Sequence, residues 1–160
     1  MQLTIRRFLA AITTVFCLGL ASVATADISK VLSAKTAPYG VVFEVVEGDE
    51  SALSWVLPRI EKHSKRLRAK FPDVKIAVVT HGREQFGLTQ SFAGPKAQKI
   101  SRKAEQMTST GTELHVCGGH AAARGVPASA FPAHINVAAS GPAQVRALRA
   151  EGYVLVQIRN

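Results

Sequence analysis

Short apolar runs alternate with amphipathic segments along most of this 160-residue chain. Five runs have the length and composition of buried strands, at residues 39–47, 74–80, 113–116, 135–139 and 153–158. The segments between them have helical spacing, at residues 51–71, 97–109, 118–124 and 141–151. Strands that alternate with helices favour parallel pairing, with both faces of the sheet covered. The pattern therefore predicts a three-layer α/β fold, in which a mostly parallel five-stranded sheet carries helices on both faces.

Proline and glycine mark the boundaries of the predicted helices. Pro58 lies inside the first long helix, where it predicts a kink or the start of the regular part, and Pro72 stops that helix. The stretch after the second strand, residues 82–95, is rich in glycine and small polar residues. This composition suits a loop or a short helical turn over a site.

The first 26 residues have the features of a secretory signal peptide. Arg6 and Arg7 precede an apolar stretch, and Ala24-Thr-Ala26 provides a small-residue cleavage site. The apolar stretch is shorter than the about 18 residues that a membrane span requires, so we expect no stable membrane span. The general secretory route fits the residues around the arginine pair better than the twin-arginine route. The sequence thus predicts a periplasmic or secreted protein.

Cleavage between Ala26 and Asp27 defines the domain organisation that we expect. Residues 1–26 are the signal peptide, residues 27–38 form an N-terminal tail, and residues 39–160 form one α/β domain. Loss of two arginines lowers the formal net charge from +9 to +7. An exported protein rarely meets nucleic acid, so this charge indicates anionic small molecules, an acidic protein partner or an anionic membrane surface.

Much of the positive charge lies on the first long helix, where a solvated helix face is the simplest interpretation. Its basic residues are Arg59, Lys62, Lys65, Arg66, Arg68 and Lys70.

Cys117 is the one thiol that remains after signal cleavage, because Cys17 lies in the apolar part of the signal. No disulfide can then form within one mature chain, and an unpaired thiol in an oxidising compartment is usually buried, modified or used. Cys117 follows a predicted strand and precedes a glycine turn and a short helix that Gly125 closes. The N–H groups at a helix start favour a thiolate over a thiol.

Three polar residues follow predicted strands directly, namely His81, Cys117 and Ser140. In open parallel sheets, ligands collect outside the carboxyl ends of the strands. We therefore expect these residues to line one pocket.

Several short motifs occur in an order and spacing that resemble those of the DsrE/DsrF-like proteins, most closely their small single-domain branch. They are Val42-Phe-Glu-Val-x-Glu-Gly, His81-Gly, Val116-Cys-Gly, Ala123-Arg-Gly, Ser140-Gly and Glu151-Gly-Tyr. The resemblance covers almost the whole mature chain and implies the DsrE-like fold. Its better-studied members are cytoplasmic sulfur-relay proteins that assemble as oligomers, in which a cysteine takes up sulfur as a persulfide. Carried over by motif position, that role falls on Cys117.

The resemblance implies a thiol-based sulfur carrier or sulfur-species binding protein, without cofactor, that forms a homo-oligomer. Its partners would be a sulfur donor or acceptor protein, or a small sulfur anion. Such a carrier needs a local positive field at the thiolate. Candidate substrate-binding residues are His81, Gly118, Gly119, His120 and Arg124, with the glycines permitting close approach of a partner's sulfur. Gly119-His120 stands where many relatives have asparagine and a hydroxyl residue.

The sequence is compatible with two alternatives. His115, Cys117 and His120 have a spacing that could bind zinc or copper. Alternatively, Cys117 only packs in the core, and the chain is a non-catalytic oligomeric interaction module. The sequence contains no serine-nucleophile motif, phosphate loop or dinucleotide fingerprint, so hydrolase and nucleotide chemistry are poorly supported. Any enzymatic activity would be transfer of sulfur.

Overall fold

The computed structural model describes residues 26–159 and contains one five-stranded sheet. Its strands are β1 (Gly40–Val45), β2 (Lys75–Thr80), β3 (Thr112–Cys117), β4 (Asn136–Ala138) and β5 (Tyr153–Ile158). Their spatial order is β4-β3-β2-β1-β5, and every pairing is parallel. The predicted three-layer α/β fold is confirmed, and the sheet is wholly parallel where the sequence indicated a mostly parallel one.

Helices cover both faces of this sheet, but unequally. They are α1 (Ile28–Ser33), α2 (Leu53–Lys70), α3 (Pro95–Ser109), α4 (Gly118–Ala122) and α5 (Gly141–Ala150), with 3-10 turns at Arg83–Leu88 and Ala128–Ala130. Helices α1, α2 and α3 share the larger core with one face. Helix α5 covers the other face through Val145 and Leu148. We call these the large-core face and the α5 face.

Successive residues of β1 alternate between the two faces, as the pleat of a strand requires. Phe43 and Val45 belong to the large core, whereas Val42 packs under α5, and all three are fully buried. Each such side chain contributes about 1.5–3 kcal/mol through removal from water. Apolar residues on both faces explain why the strands have continuous rather than alternating hydrophobicity.

Helix α2 includes Pro58 and continues on both sides of it, from Leu53 to Lys70.

The segment predicted as an N-terminal tail, residues 27–38, contains α1. Asp27 caps this helix by accepting a hydrogen bond from the Ser29 N–H at 2.9 Å, and Val31 is buried in the large core. The segment is therefore packed against the domain.

The predicted signal peptide lies outside the described residues except for Ala26, whose N–H donates to the Leu155 carbonyl at 2.9 Å. None of the helices between residues 26 and 159 combines the length and the hydropathy that a transmembrane segment needs.

Candidate functional site

Cys117 is the last residue of β3 and the N-cap residue of α4, so it lies at the carboxyl end of the sheet. Its Sγ accepts a hydrogen bond from the His120 N–H at 3.4 Å. Its side chain alternates with Val116, which faces the large core, and therefore lies on the α5 face. Cys117 is unpaired and only 7% exposed. The thiol is thus close to the surface of the domain but largely covered.

Gln85, in the 3-10 turn after β2, holds the backbone of Cys117. Its Oε1 accepts a hydrogen bond from the Cys117 N–H at 2.8 Å, and the whole residue is buried. Its Nε2 is also buried and has no hydrogen-bond partner within residues 26–159. If the Gln85 amide were reversed, its N–H₂ group would face the Cys117 N–H, and two donors would lie against each other. The hydrogen bond to Cys117 therefore fixes the orientation of the Gln85 amide. The Cys117 backbone therefore contacts an amide group that carries an unused donor.

Glu84 anchors the turn that carries Gln85. This carboxylate is fully buried and accepts hydrogen bonds from the Glu47 N–H at 2.6 Å, the Gly82 N–H at 2.9 Å and the Thr80 hydroxyl. Three donors compensate the burial of a charge that would otherwise be costly. The turn is consequently fixed to the ends of both β1 and β2.

His120 connects α4 to the end of β2. Its Nδ1 lies 2.9 Å from the His81 carbonyl oxygen, which can only accept, so Nδ1 carries the proton. Its Nε2 accepts a hydrogen bond from Arg124 Nε at 3.0 Å, which fixes the neutral tautomer. The ring also packs edge-on against Phe86, with centroids 5.3 Å apart. Both ring nitrogens are therefore already engaged.

Arg124 is oriented by the same group of residues. Its guanidinium lies over the Phe86 ring, with its central carbon 5.6 Å from the centroid. Together they line a cleft of about 340 Å³ that also includes Thr89 and Ser91. Cys117 does not line this cleft, and Arg124 contacts the Cys117 region through His120 Nε2.

His81 follows β2 and is held by Glu44, with His81 Nε2 3.0 Å from Glu44 Oε1. The other Glu44 oxygen accepts a hydrogen bond from Gln157 Nε2 at 2.8 Å. The His81 and Glu44 side chains are 15% and 13% exposed. Thr80 pairs with Val116, so the next residues along each chain, His81 and Cys117, are neighbours across the strands. The backbones of these two residues therefore lie side by side at the carboxyl end of the sheet, and a shared pocket stays a prediction.

Ser140, the third predicted residue, caps α5 by accepting a hydrogen bond from the Ala143 N–H at 3.4 Å. The next residue, Gly141, lies directly against His81, because an added Cβ there would be 2.4 Å from His81 Cβ. Ser140 thus has a structural partner, while the start of α5 fixes the position of His81.

Gly118 and Gly119 pack α4 closely against β4 and the residue after it. A Cβ at Gly118 would lie 3.0 Å from the Ala138 carbonyl oxygen, and one at Gly119 would lie 3.0 Å from the Ala139 carbonyl oxygen. The Gly119 N–H donates to that Ala139 oxygen at 3.0 Å. The space that the sequence assigned to an approaching partner sulfur is occupied by these carbonyl groups.

The metal-binding alternative finds no support within residues 26–159. No group of three or more His, Cys, Asp or Glu side chains there is arranged to bind a metal ion. His115 shares the strand face of Cys117, but its Nε2 lies 3.2 Å from Glu113 Oε2. His120 has both ring nitrogens bonded to other groups. The structure does not assemble His115, Cys117 and His120 into a metal site.

The sequence did not single out Gln85 or Glu84 as site residues, and it gave Glu44 no role. A glutamine or glutamate in a loop carries no periodic signal, and its complete burial follows from tertiary contacts. The clue available in the sequence was position, because both residues lie just beyond the carboxyl end of a central strand.

No family model and no curated protein matches this chain. Among solved structures, it is similar to that of a protein of unknown function, MTH1491 from Methanobacterium thermoautotrophicum. The two have a TM-score of 0.61 and 22% sequence identity, and the similarity covers 75% of this chain and 99% of that one. At this level of identity the likeness establishes the three-layer α/β fold and nothing more specific.

Proposed function

We propose that this chain is an exported, thiol-based sulfur carrier of the DsrE/DsrF-like kind, with Cys117 as the persulfide acceptor. The observation that carries the proposal is the position of Cys117 at the carboxyl end of the sheet, with one hydrogen-bond donor at its sulfur and a second beside its backbone. One backbone N–H already bonds to Sγ, and the fully buried amide that holds the Cys117 backbone has an unused N–H₂ group.

The reaction needs no resident cofactor. The Cys117 thiolate attacks the sulfane sulfur of thiosulfate, a new S–S bond forms, and the original S–S bond breaks with its electron pair leaving on sulfite. The products are a Cys117 persulfide anion and sulfite, so atoms and charge balance. An acceptor thiolate then attacks the outer sulfur and restores the Cys117 thiolate.

We assign to His81 the proton that leaves when the Cys117 thiol ionises. It is adjacent to Cys117 in the strand register, and Glu44 holds its ring at Nε2. A carboxylate that orients a histidine and stabilises its charged form is a recurrent device for nucleophile activation. In this role His81 is the base, and Glu44 is a positioning residue.

The test is sulfur loading of the purified mature protein. Thiosulfate or polysulfide is added under anaerobic conditions, and intact-mass and peptide analysis locate any added sulfur. We expect one sulfur atom on the peptide that contains Cys117, and none on a Cys117→Ser variant. Absence of an adduct with both donors would refute the carrier function.

An interaction module is the competing function, and the 7% exposure of Cys117 is the observation that favours it. The basic face of α2 supports an interaction module less strongly, because four of the six cationic side chains on this helix have partners within the same chain. Arg59 donates to the Arg159 carbonyl, Arg68 to the Gly111 carbonyl, Lys70 to the Leu32 carbonyl, and Lys65 pairs with Glu61. If the chain is an interaction module, Cys117→Ser leaves oligomerisation and partner binding unchanged, and the wild type itself takes up no sulfur.

A further inference from the structure

Gln85 is completely buried, and its amide is only half used. A buried donor without a partner destabilises a protein by a substantial fraction of its total stability, so such groups are rare and call for an explanation. The unused Nε2 belongs to the same planar amide that bonds the Cys117 N–H through Oε1 at 2.8 Å. The orphan donor therefore lies beside the residue that carries the thiol.

We infer that Gln85 is a sulfur-binding residue, whose Nε2 donates a hydrogen bond to the outer sulfur of a persulfide on Cys117. This inference rests on the proposed function and adds the residue that binds the transferred sulfur atom. The outer sulfur of a persulfide is anionic and accepts hydrogen bonds, whereas the unmodified thiol extends less far from Cβ. Loading would thus satisfy a donor that is unpaired in the unloaded protein.

The turn that carries Gln85 is rigid enough for this role. Glu84, the preceding residue, bonds to the ends of β1 and β2 and is itself fully buried. The Gln85 amide cannot reverse without losing its contact with the Cys117 N–H. The donor is consequently fixed before any sulfur arrives, which is how a protein stabilises an anion at little reorganisation cost.

Gln85→Glu is the most informative variant, because it keeps an acceptor for the Cys117 N–H and replaces the N–H₂ group by an oxygen. Gln90→Glu is the matched control, since Gln90 is exposed in the same loop region. Each protein is loaded with polysulfide and then treated with cyanide, which removes the outer sulfur as thiocyanate and regenerates the Cys117 thiolate. We expect Gln85→Glu to release thiocyanate at least about tenfold faster than the wild type, the size of one hydrogen bond to a charged group. Gln90→Glu should match the wild type.

A second measurement uses only the wild-type protein and does not depend on how the variant folds. Loading should raise the midpoint of thermal unfolding, because it satisfies the Gln85 donor. A wild type that loads but shows an unchanged or lower midpoint, or a folded Gln85→Glu protein with wild-type release, overturns the role of Gln85 and leaves the carrier function intact. A wild type that never loads refutes the carrier function and this inference together.

Discussion

Glu44 and His81 are joined across two neighbouring strands, with Oε1 of the carboxylate 3.0 Å from Nε2 of the ring. This contact occupies Nε2 and leaves Nδ1 as the ring nitrogen that can exchange a proton. A second Glu–His pair, Glu113 and His115, has a similar separation of 3.2 Å and lies earlier along β3, four and two residues before Cys117. The two pairs allow the role of Glu44 to be tested against an internal control.

Replacement of Glu44 by glutamine should slow the reaction of Cys117. The amide offers one acceptor oxygen where the carboxylate offers two, so His81 and Gln157 can no longer both be held as they are. We expect the rate of sulfur loading to fall by about tenfold, below the full effect of losing a general base. Loading is followed by quenched-flow mass analysis.

Glu113→Gln is the control for this change, and it should load at the wild-type rate. Equal rates for Glu44→Gln and the wild type would remove Glu44 and its hold on His81 from the mechanism. A circular dichroism spectrum identical to that of the wild type shows that the fold is retained.

The contact between Gly141 and His81 predicts a second effect on the same histidine. Alanine at position 141 would place a Cβ 2.4 Å from His81 Cβ and 2.9 Å from His81 Cγ, so either the start of α5 or the ring must move. We expect a loss of about 1–3 kcal/mol in the free energy of unfolding, as overpacking usually causes, together with slower loading.

Gly48→Ala provides the comparison for Gly141→Ala, because a Cβ at Gly48 meets no atom within 4 Å. Urea denaturation of both variants measures the effect. A Gly141→Ala protein as stable as Gly48→Ala, with unchanged loading, would show that the start of α5 does not fix His81.

His63 predicts that stability falls in mildly acidic solution. Burial is the main cause of its lowered pKa, and the charges of Arg59, Arg66 and Lys62 lower that pKa further. The unfolded chain, with a histidine pKa of about 6.5, then binds the proton more readily than the folded protein. The folded state therefore loses stability as the pH drops below that value, until His63 is protonated in the folded protein as well.

His63→Phe removes this titration and keeps a ring next to Phe43, whose centroid lies 6.3 Å from that of His63. The wild type should lose stability relative to this variant between pH values of about 7.5 and 5. Urea denaturation at each pH gives the difference in the free energy of unfolding. A difference that stays constant over this range would contradict the assigned shift.

Strand and helix positions follow from local patterns and were predictable. The fifth strand was predicted at residues 153–158 and forms there as β5, because apolar side chains on both faces leave little choice of structure. The predicted stop of the helix after Cys117 is present as well, since Gly125 has a φ of 70° that favours glycine. Helix α1 was not predicted, because a short segment with one buried residue, Val31, has too weak a pattern.

The candidate site was predictable in position but not in detail. The carboxyl ends of parallel strands meet at one edge, so His81 and Cys117 were expected there, and the register places their backbones side by side. The burial of Cys117 and the contacts of Gln85 depend on how a loop folds over the strand ends. No periodicity in the sequence carries that information. The tight packing of Gly118 and Gly119 against Ala138 and Ala139 is likewise a tertiary property.

The proposed function requires Cys117 to react from the folded state despite its 7% exposure. The decisive measurement is alkylation with iodoacetamide, followed by mass analysis, over a range of pH and of low urea concentrations. We predict native-state modification whose rate rises with pH as the thiol ionises and is insensitive to urea below the unfolding transition. Modification that occurs only as the protein unfolds, with a rate that tracks global stability, would contradict the claim and leave Cys117 as a packing residue.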